Sequence, residues 1–131
     1  MATQPKPQPE NITKEIGDKL VNLCRDGKNL EAVETLYSDN IVSVEASGPP
    51  NSPREMRGKN AIRDKHHWWF SNMEVHSQVV EGPYPKDNQF IVVYKLDVTD
   101  KAAKKRFQMQ EAGLYTVDNG KITREEFFYN M

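Results

Sequence analysis

QMQEAGLYTVDNGKITREEFFY, Gln108–Tyr129, sets the architecture of the chain. Two β-rich runs flank Asp118-Asn119-Gly120-Lys121, and Asn119-Gly120 supplies the φ > 0 residues that a tight hairpin turn needs. Side chains alternate with a period of two along a strand, so Met109, Glu111, Gly113, Tyr115 and Val117 share one face of the first run. Glu111 thus stands among apolar and aromatic neighbours. If that face looks into the protein, its carboxyl is of the kind that binds ligands or moves protons.

Upstream, Gln89–Thr99 alternates in the same way. Phe90, Val92, Tyr94, Leu96 and Val98 form an apolar face, and Ile91, Val93, Lys95, Asp97 and Thr99 a mixed one. With Glu74–Glu81 and Arg106–Val117 it predicts an antiparallel meander, joined through a basic, solvated tip at Asp100–Lys105. The N-terminal half has helical spacing instead. Ile12, Ile16, Leu20, Leu23 and Cys24 recur on one stripe, with Asn11 as N-cap and Gly27 as stop; Leu30, Val33, Leu36 and Tyr37 form a second stripe, capped by Asn29 and closed by Ser38-Asp39-Asn40. Ile41–Ser47 reads as a short strand with Val42, Val44 and Ala46 on its apolar face, and Glu45 pointing away. Gly48–Arg57, with three prolines, reads as a surface loop, and Lys59–Phe70 as a third helix whose stripe is Ile62, His66 and Trp69. Residues 1–10, polar with three prolines, read as a disordered tail, which leaves 11–131 as a single domain.

This order predicts an α+β fold: a strongly curved, mainly antiparallel sheet capped by three N-terminal helices, cone-shaped, with a ligand site inside the cone. The 131 residues suffice for one core. A net charge of -1 lacks the basic excess of a nucleic-acid binder, and no apolar run or leader marks a membrane span or export, so a cytoplasmic location without membrane or nucleic-acid partners is expected. The single cysteine excludes an internal disulfide.

Glu111 is the leading catalytic candidate, either as an acid or base of raised pKa or, in the alternative, as a carboxylate paired with a lysine or arginine on the next strand. Tyr115 and His76 are secondary candidates; Tyr94, Trp69, Phe127 and Tyr129 either line the pocket or belong to the core. His66, on the inner side of the third helix, either lines the pocket or is a hydrogen-bonded structural histidine, and Asp97 with Lys95 suggests an ion pair on the outer or dimer face. No HxxxH or HExxH spacing occurs, so neither a metal nor another cofactor is expected.

LYSDNIVSVEASG (36–48), RGKNAIRDKHHWWF (57–70), EVHSQVVEGPYP (74–85) and GLYTVDNGKITREEFFY (113–129), in this order and spacing, resemble the SnoaL-like proteins of the nuclear transport factor 2-like superfamily, which also holds ketosteroid isomerases and polyketide cyclases. The resemblance implies a cystatin-like roll, commonly a homodimer through the sheet, with Ile91, Val93, Leu114 and Phe128 on the outer face. It also implies a cavity at which Val44, Trp69, Tyr94, Glu111, Tyr115 and Tyr129 converge, mainly apolar, suited to a small apolar ligand. The isomerases' general-base aspartate corresponds to Ala46 here, so that base is missing, whereas their protonated acid corresponds in place to Glu111. The functions implied are a cofactor-independent isomerase, cyclase or hydrolase or, alternatively, a non-catalytic ligand-binding or dimeric interaction module.

Overall fold

The computed structural model describes residues 9–47 and 53–130, with Pro9 and Glu10 described by their backbone. The chain runs α1 (Pro9–Arg25), α2 (Asn29–Leu36), β1 (Tyr37–Val44), β2 (Glu55–Arg57), α3 (Lys59–Asn72), β3 (Met73–Lys86), β4 (Gln89–Asp100), β5 (Lys105–Asp118) and β6 (Lys121–Phe128). The six strands form one sheet in the order β2-β1-β6-β5-β4-β3; β1 runs parallel to β6 and every other pair is antiparallel. No described helix is long and apolar enough to cross a membrane.

The helices bury the predicted stripes. Ile16, Leu20, Cys24, Val33, Leu36 and Ile62 enter one core with Phe90, Val92, Tyr94, Tyr115 and Val117 from the sheet. The β4 and β5 faces are as predicted. α1 sits so close to β3 that a Cβ at Gly17 would lie 2.7 Å from Pro83, so only glycine permits the approach. The Arg25 guanidinium fixes the same contact by donating to the Val80 carbonyl at 3.1 and 2.8 Å. α3 has no basic residue in its last turn; Lys101, on the β4–β5 connection, instead donates to the Ser71 carbonyl at 3.3 Å, where the helix dipole is negative.

Several boundaries differ from those read in the sequence. α1 begins at Pro9, inside the expected tail, because proline fits the first helical turn; Asn11 is therefore within the helix, and residues 1–8 lie outside the described ones. Asn29 is the first residue of α2, preceded by Lys28 as cap. The strand after α2 starts at Tyr37, so Ser38-Asp39-Asn40 extends β1 rather than closing the helix. Within the expected loop, Glu55–Arg57 forms the edge strand β2 on β1, while residues 48–52 lie outside the described ones.

The inner face of β1 is also the reverse of the expected one. Ile41 and Ser43 are fully buried, whereas Val42 and Val44 are half-buried on the other side. Tyr37, Ile41 and Ser43 share one parity and face inward together, and the pairing of Ser43 with Glu125 holds that face on the inner side.

Candidate functional site

β4 and β5 pair so that Tyr94 faces Glu111 and Phe90 faces Tyr115. Tyr115 stacks on Phe90 at 4.9 Å between ring centroids and meets the edge of Phe127 at 6.2 Å. The ring lies over Gly113, where a Cβ would come within 2.8 Å of it. The Tyr115 and Tyr94 hydroxyls are hydrogen-bonded at 2.6 Å, and Tyr94 in turn lies 4.0 Å from the Cys24 sulfur. Burial holds both phenols well above their ordinary pKa and pushes the Cys24 thiol up to about 11. This tyrosine pair is a rigid, protonated floor, and Cys24 is an unreactive part of it.

Glu111 is half-buried beside that floor and accepts no hydrogen bond from the described residues. Its pKa is raised from 4.5 to about 7, first by burial and then by the negative charge of Glu45; Lys65 acts in the opposite sense, and Glu125 adds a further increase. Near neutral pH both protonation states are therefore populated, the condition for an acid or base that works in either direction.

The charges acting on Glu111 come from a cluster the sequence reading missed. Glu125 on β6 is 1% exposed; the Ser43 hydroxyl donates to its Oε1 at 2.8 Å and the Tyr37 hydroxyl to its Oε2. Lys65, on the α3 stripe one turn after Ile62, donates to Ser43 Oγ and to Glu45 Oε1, both at 2.8 Å, and lies 3.6 Å from Glu125. Its Nζ also sits 5.0 Å from the centre of the Phe127 ring, a cation–π contact. Burial alone would lower the Lys65 pKa, but Glu125 and Glu45 outweigh it and the ammonium is held above its ordinary value. The Tyr129 hydroxyl closes the cluster, donating to Glu45 Oε2 at 2.9 Å; burial, reinforced by Glu45, pushes it up to about 12. The signal for Glu125 was present: it alternates with Phe127 and Tyr129 as Glu111 does with Gly113 and Tyr115.

Of the candidate residues, Glu111, Tyr94, Tyr115 and Tyr129 gather around this cluster. His66 joins them from α3: burial lowers its pKa while the charges of Glu125 and Glu45 act against that, and its ring stacks on Phe70 at 6.3 Å. Trp69 is half-buried on the same helix. Val44 belongs to the opposite face, as the β1 register requires. His76 is exposed, bonded to Thr99 Oγ1 at 2.7 Å, and does not reach Glu111 through any contact among the described residues. Lys95 and Asp97 do not pair with each other; Lys95 pairs with Glu81 at 2.7 Å and Asp97 with Arg106 at 2.9 Å.

An open groove of about 380 Å³ lies beyond the end of β6, with Glu111, Gln110, Val93, Phe128 and Tyr129 in its lining. A second, of about 400 Å³, crosses β3 to β5 at Val79, Lys95 and Met109. Both walls mix polar and apolar groups, where a mainly apolar wall was expected. Among the described residues no three His, Cys, Asp or Glu side chains are grouped as metal ligands.

A curved six-stranded sheet covered by three helices, with ionisable groups gathered on its inner side, defines the nuclear transport factor 2-like class. Within that class, residues 12–129 match the family described as SnoaL-like domain, and the chain belongs to it. A solved structure from Mesorhizobium loti, described as a proposed SnoaL-like polyketide cyclase and also as a carbohydrate phosphatase, is 46% identical, with TM-score 0.83 over 88% of this chain and 97% of that one. A proposed isomerase from Bacillus subtilis shares 18% identity and a TM-score of 0.74 over 93% and 88% of the two chains. An epoxide hydrolase of M. tuberculosis shares 12% identity and a TM-score of 0.67 over 92% and 84%. The last two likenesses establish the fold alone. No curated protein matches the chain.

Proposed function

We propose that this protein binds a small, mostly apolar, oxygen-bearing molecule on the inner side of its sheet, and that Glu111 moves a proton to or from it without a cofactor. The reaction is of isomerase, cyclase or hydrolase type, carried out in the cytoplasm. One observation carries the reading: Glu111 has no hydrogen-bond donor among the described residues, while both oxygens of Glu45 and of Glu125 are occupied. Burial and the neighbouring charges hold that unengaged carboxyl at a pKa of about 7. The M. loti relative, 46% identical, is described both as a proposed polyketide cyclase and as a carbohydrate phosphatase, and the first of these is chemistry of this kind. Tyr94, Tyr115, His66, Trp69 and Tyr129 serve as walls rather than as proton carriers.

The second reading is a dimeric binding module, favoured by the outer face. Ile91 and Phe128 are exposed there beside Val93 and Leu114, a surface that a homodimer through the sheet would cover. The two readings separate on one experiment. A panel of uncharged ring ketones, lactones and epoxides is screened by NMR with a labelled Glu111 side chain, and binders are assayed for turnover in wild type and Glu111→Gln. Enzymatic function predicts a binder that shifts the Glu111 signal and turnover that falls at least about a hundredfold in the variant. Full turnover in the variant would exclude Glu111 as the proton carrier, and a Glu111 signal indifferent to every compound leaves the binding module.

A further inference from the structure

Besides its outer edges, β2 and β3, the sheet has a bare edge inside it. β5 pairs with β4 without a register shift, from Gln89 opposite Thr116 to Asp100 opposite Lys105, but pairs with β6 only from Ala112 onward. Residues 105–110 thus have a strand on one side only. The Val117 N–H donates to the Asn88 carbonyl at 2.8 Å, so Val117 turns its peptide groups toward β4. Hydrogen-bonding direction alternates along an antiparallel strand, so the odd-numbered residues of β5 serve β4 and the even-numbered ones face the other way. Beyond the end of β6 these are Arg106, Gln108 and Gln110, whose N–H and C=O groups meet no partner among the described residues. Tyr129, which could have continued β6, turns off to Glu45 and Ser47, and no described helix packs along the stretch.

The two outer edges are blunted against further pairing. β2 is three residues long, and β3 carries Pro83, Pro85, two register shifts and the Arg25 guanidinium on its Val80 carbonyl. The bare stretch of β5 has none of these devices. Phe107 and Met109 are half-buried on its inner side, and Gln108 and Gln110 are exposed on its outer side. At its start Lys104 and Lys105 are exposed and have no ion-pair partner among the described residues, whereas Arg106 is held by Asp97. We propose that this edge docks an extended segment of a partner protein, added to the sheet as a further strand antiparallel to β5, with apolar residues alternating toward Phe107 and Met109 and carboxylates at its C-terminal end against Lys104 and Lys105. The backbone groups of Arg106, Gln108 and Gln110 supply the affinity, the alternation sets the register, and the two lysines select the acidic end.

The probe is the acetylated, amidated peptide Thr-Val-Thr-Val-Thr-Glu-Glu, whose valines fall opposite Met109 and Phe107 and whose glutamates fall opposite Lys105 and Lys104. Followed by amide NMR, it should bind the wild type with a dissociation constant of about 100 µM or tighter. The same peptide ending in Lys-Lys should bind at least about tenfold more weakly, a gap that narrows at high salt. Gln108→Pro removes only an N–H that faces away from β4, a place where a strand tolerates proline, so the fold should persist by circular dichroism while the acidic peptide loses at least about tenfold in affinity. Lys104→Glu with Lys105→Glu, which leaves the backbone groups in place, should reverse the preference between the two peptides. Absence of binding by the acidic peptide at millimolar concentration, undiminished binding to Gln108→Pro, or equal affinities for the two peptides overturns the proposal. A Gln108→Pro protein whose molecular mass by light scattering falls below that of wild type assigns the edge to a second copy of this chain, and overturns the peptide partner as well.

Discussion

Replacing Glu111 with glutamine should make the protein more stable at pH 8 relative to wild type, and not at pH 4. The folded-state carboxyl titrates at about 7 against an ordinary 4.5, so 7 − 4.5 gives roughly 2.5 pH units. At ~1.4 kcal/mol per unit this amounts to about 3–4 kcal/mol. The native state holds the proton more tightly than the unfolded chain, so wild type loses stability as pH rises through the interval from 4.5 to about 7 and stays at the lower level above it. Glutamine cannot ionise, and the groups common to both proteins cancel in the comparison. The variant-minus-wild-type difference should therefore grow by about 3–4 kcal/mol between acid and mildly alkaline pH, or ~10 °C in Tm for a domain of this size. Urea unfolding at a series of pH values measures it directly. A difference that is constant across the series would falsify the buried, unengaged carboxyl.

Tyr37→Phe removes the donor to Glu125 Oε2 and should cost about 1–3 kcal/mol in urea unfolding; a variant as stable as wild type would contradict the buried network. Gly113→Ala places a Cβ 2.8 Å from the Tyr115 ring and 3.1 Å from Phe127, so it should cost about 1–3 kcal/mol and change the near-ultraviolet circular dichroism of the aromatic stack. Ile91→Glu with Phe128→Glu, both exposed on the outer face, should convert a dimer to a monomer by light scattering, and a wild type already monomeric at micromolar concentration would remove the dimer reading.

The fold was legible where one face of an element is buried along its length. The alternation through Phe90–Val98 and Met109–Val117 reads directly as an inner face, and both strands obey it. Glu111 emerged by the same alternation, because a carboxyl on that face stands out against its neighbours. β1 failed for a local reason: its inward positions are Tyr37, Ile41 and Ser43 rather than the apolar Val42 and Val44, and a buried serine looks like a solvent residue until its partner Glu125 is known. Lys65 was passed over because a lysine on an apolar stripe reads as a solvated head on a long stem. Its role depends on Glu45 and Glu125, which lie 20 positions before it and well after it in the chain, and no window of sequence brings the three together.

The position of β6 governs how the chain can reach this structure. Lys121–Phe128 lies between β1 and β5, so the strand made last joins the N-terminal half to the meander. β3, β4 and β5 can zip from one hairpin to the next as they are synthesised, but β1 has only the three residues of β2 to pair with until the end of the chain arrives. The Tyr37 hydroxyl must likewise wait for Glu125, 88 residues later, before either is satisfied. Folding on the ribosome is thus held open at a seam. A chain interrupted before Lys121 leaves two long strand edges bare, β1 and β5, each able to recruit a strand from another nascent copy, so truncation near the C-terminus leads to aggregation rather than to a smaller working domain.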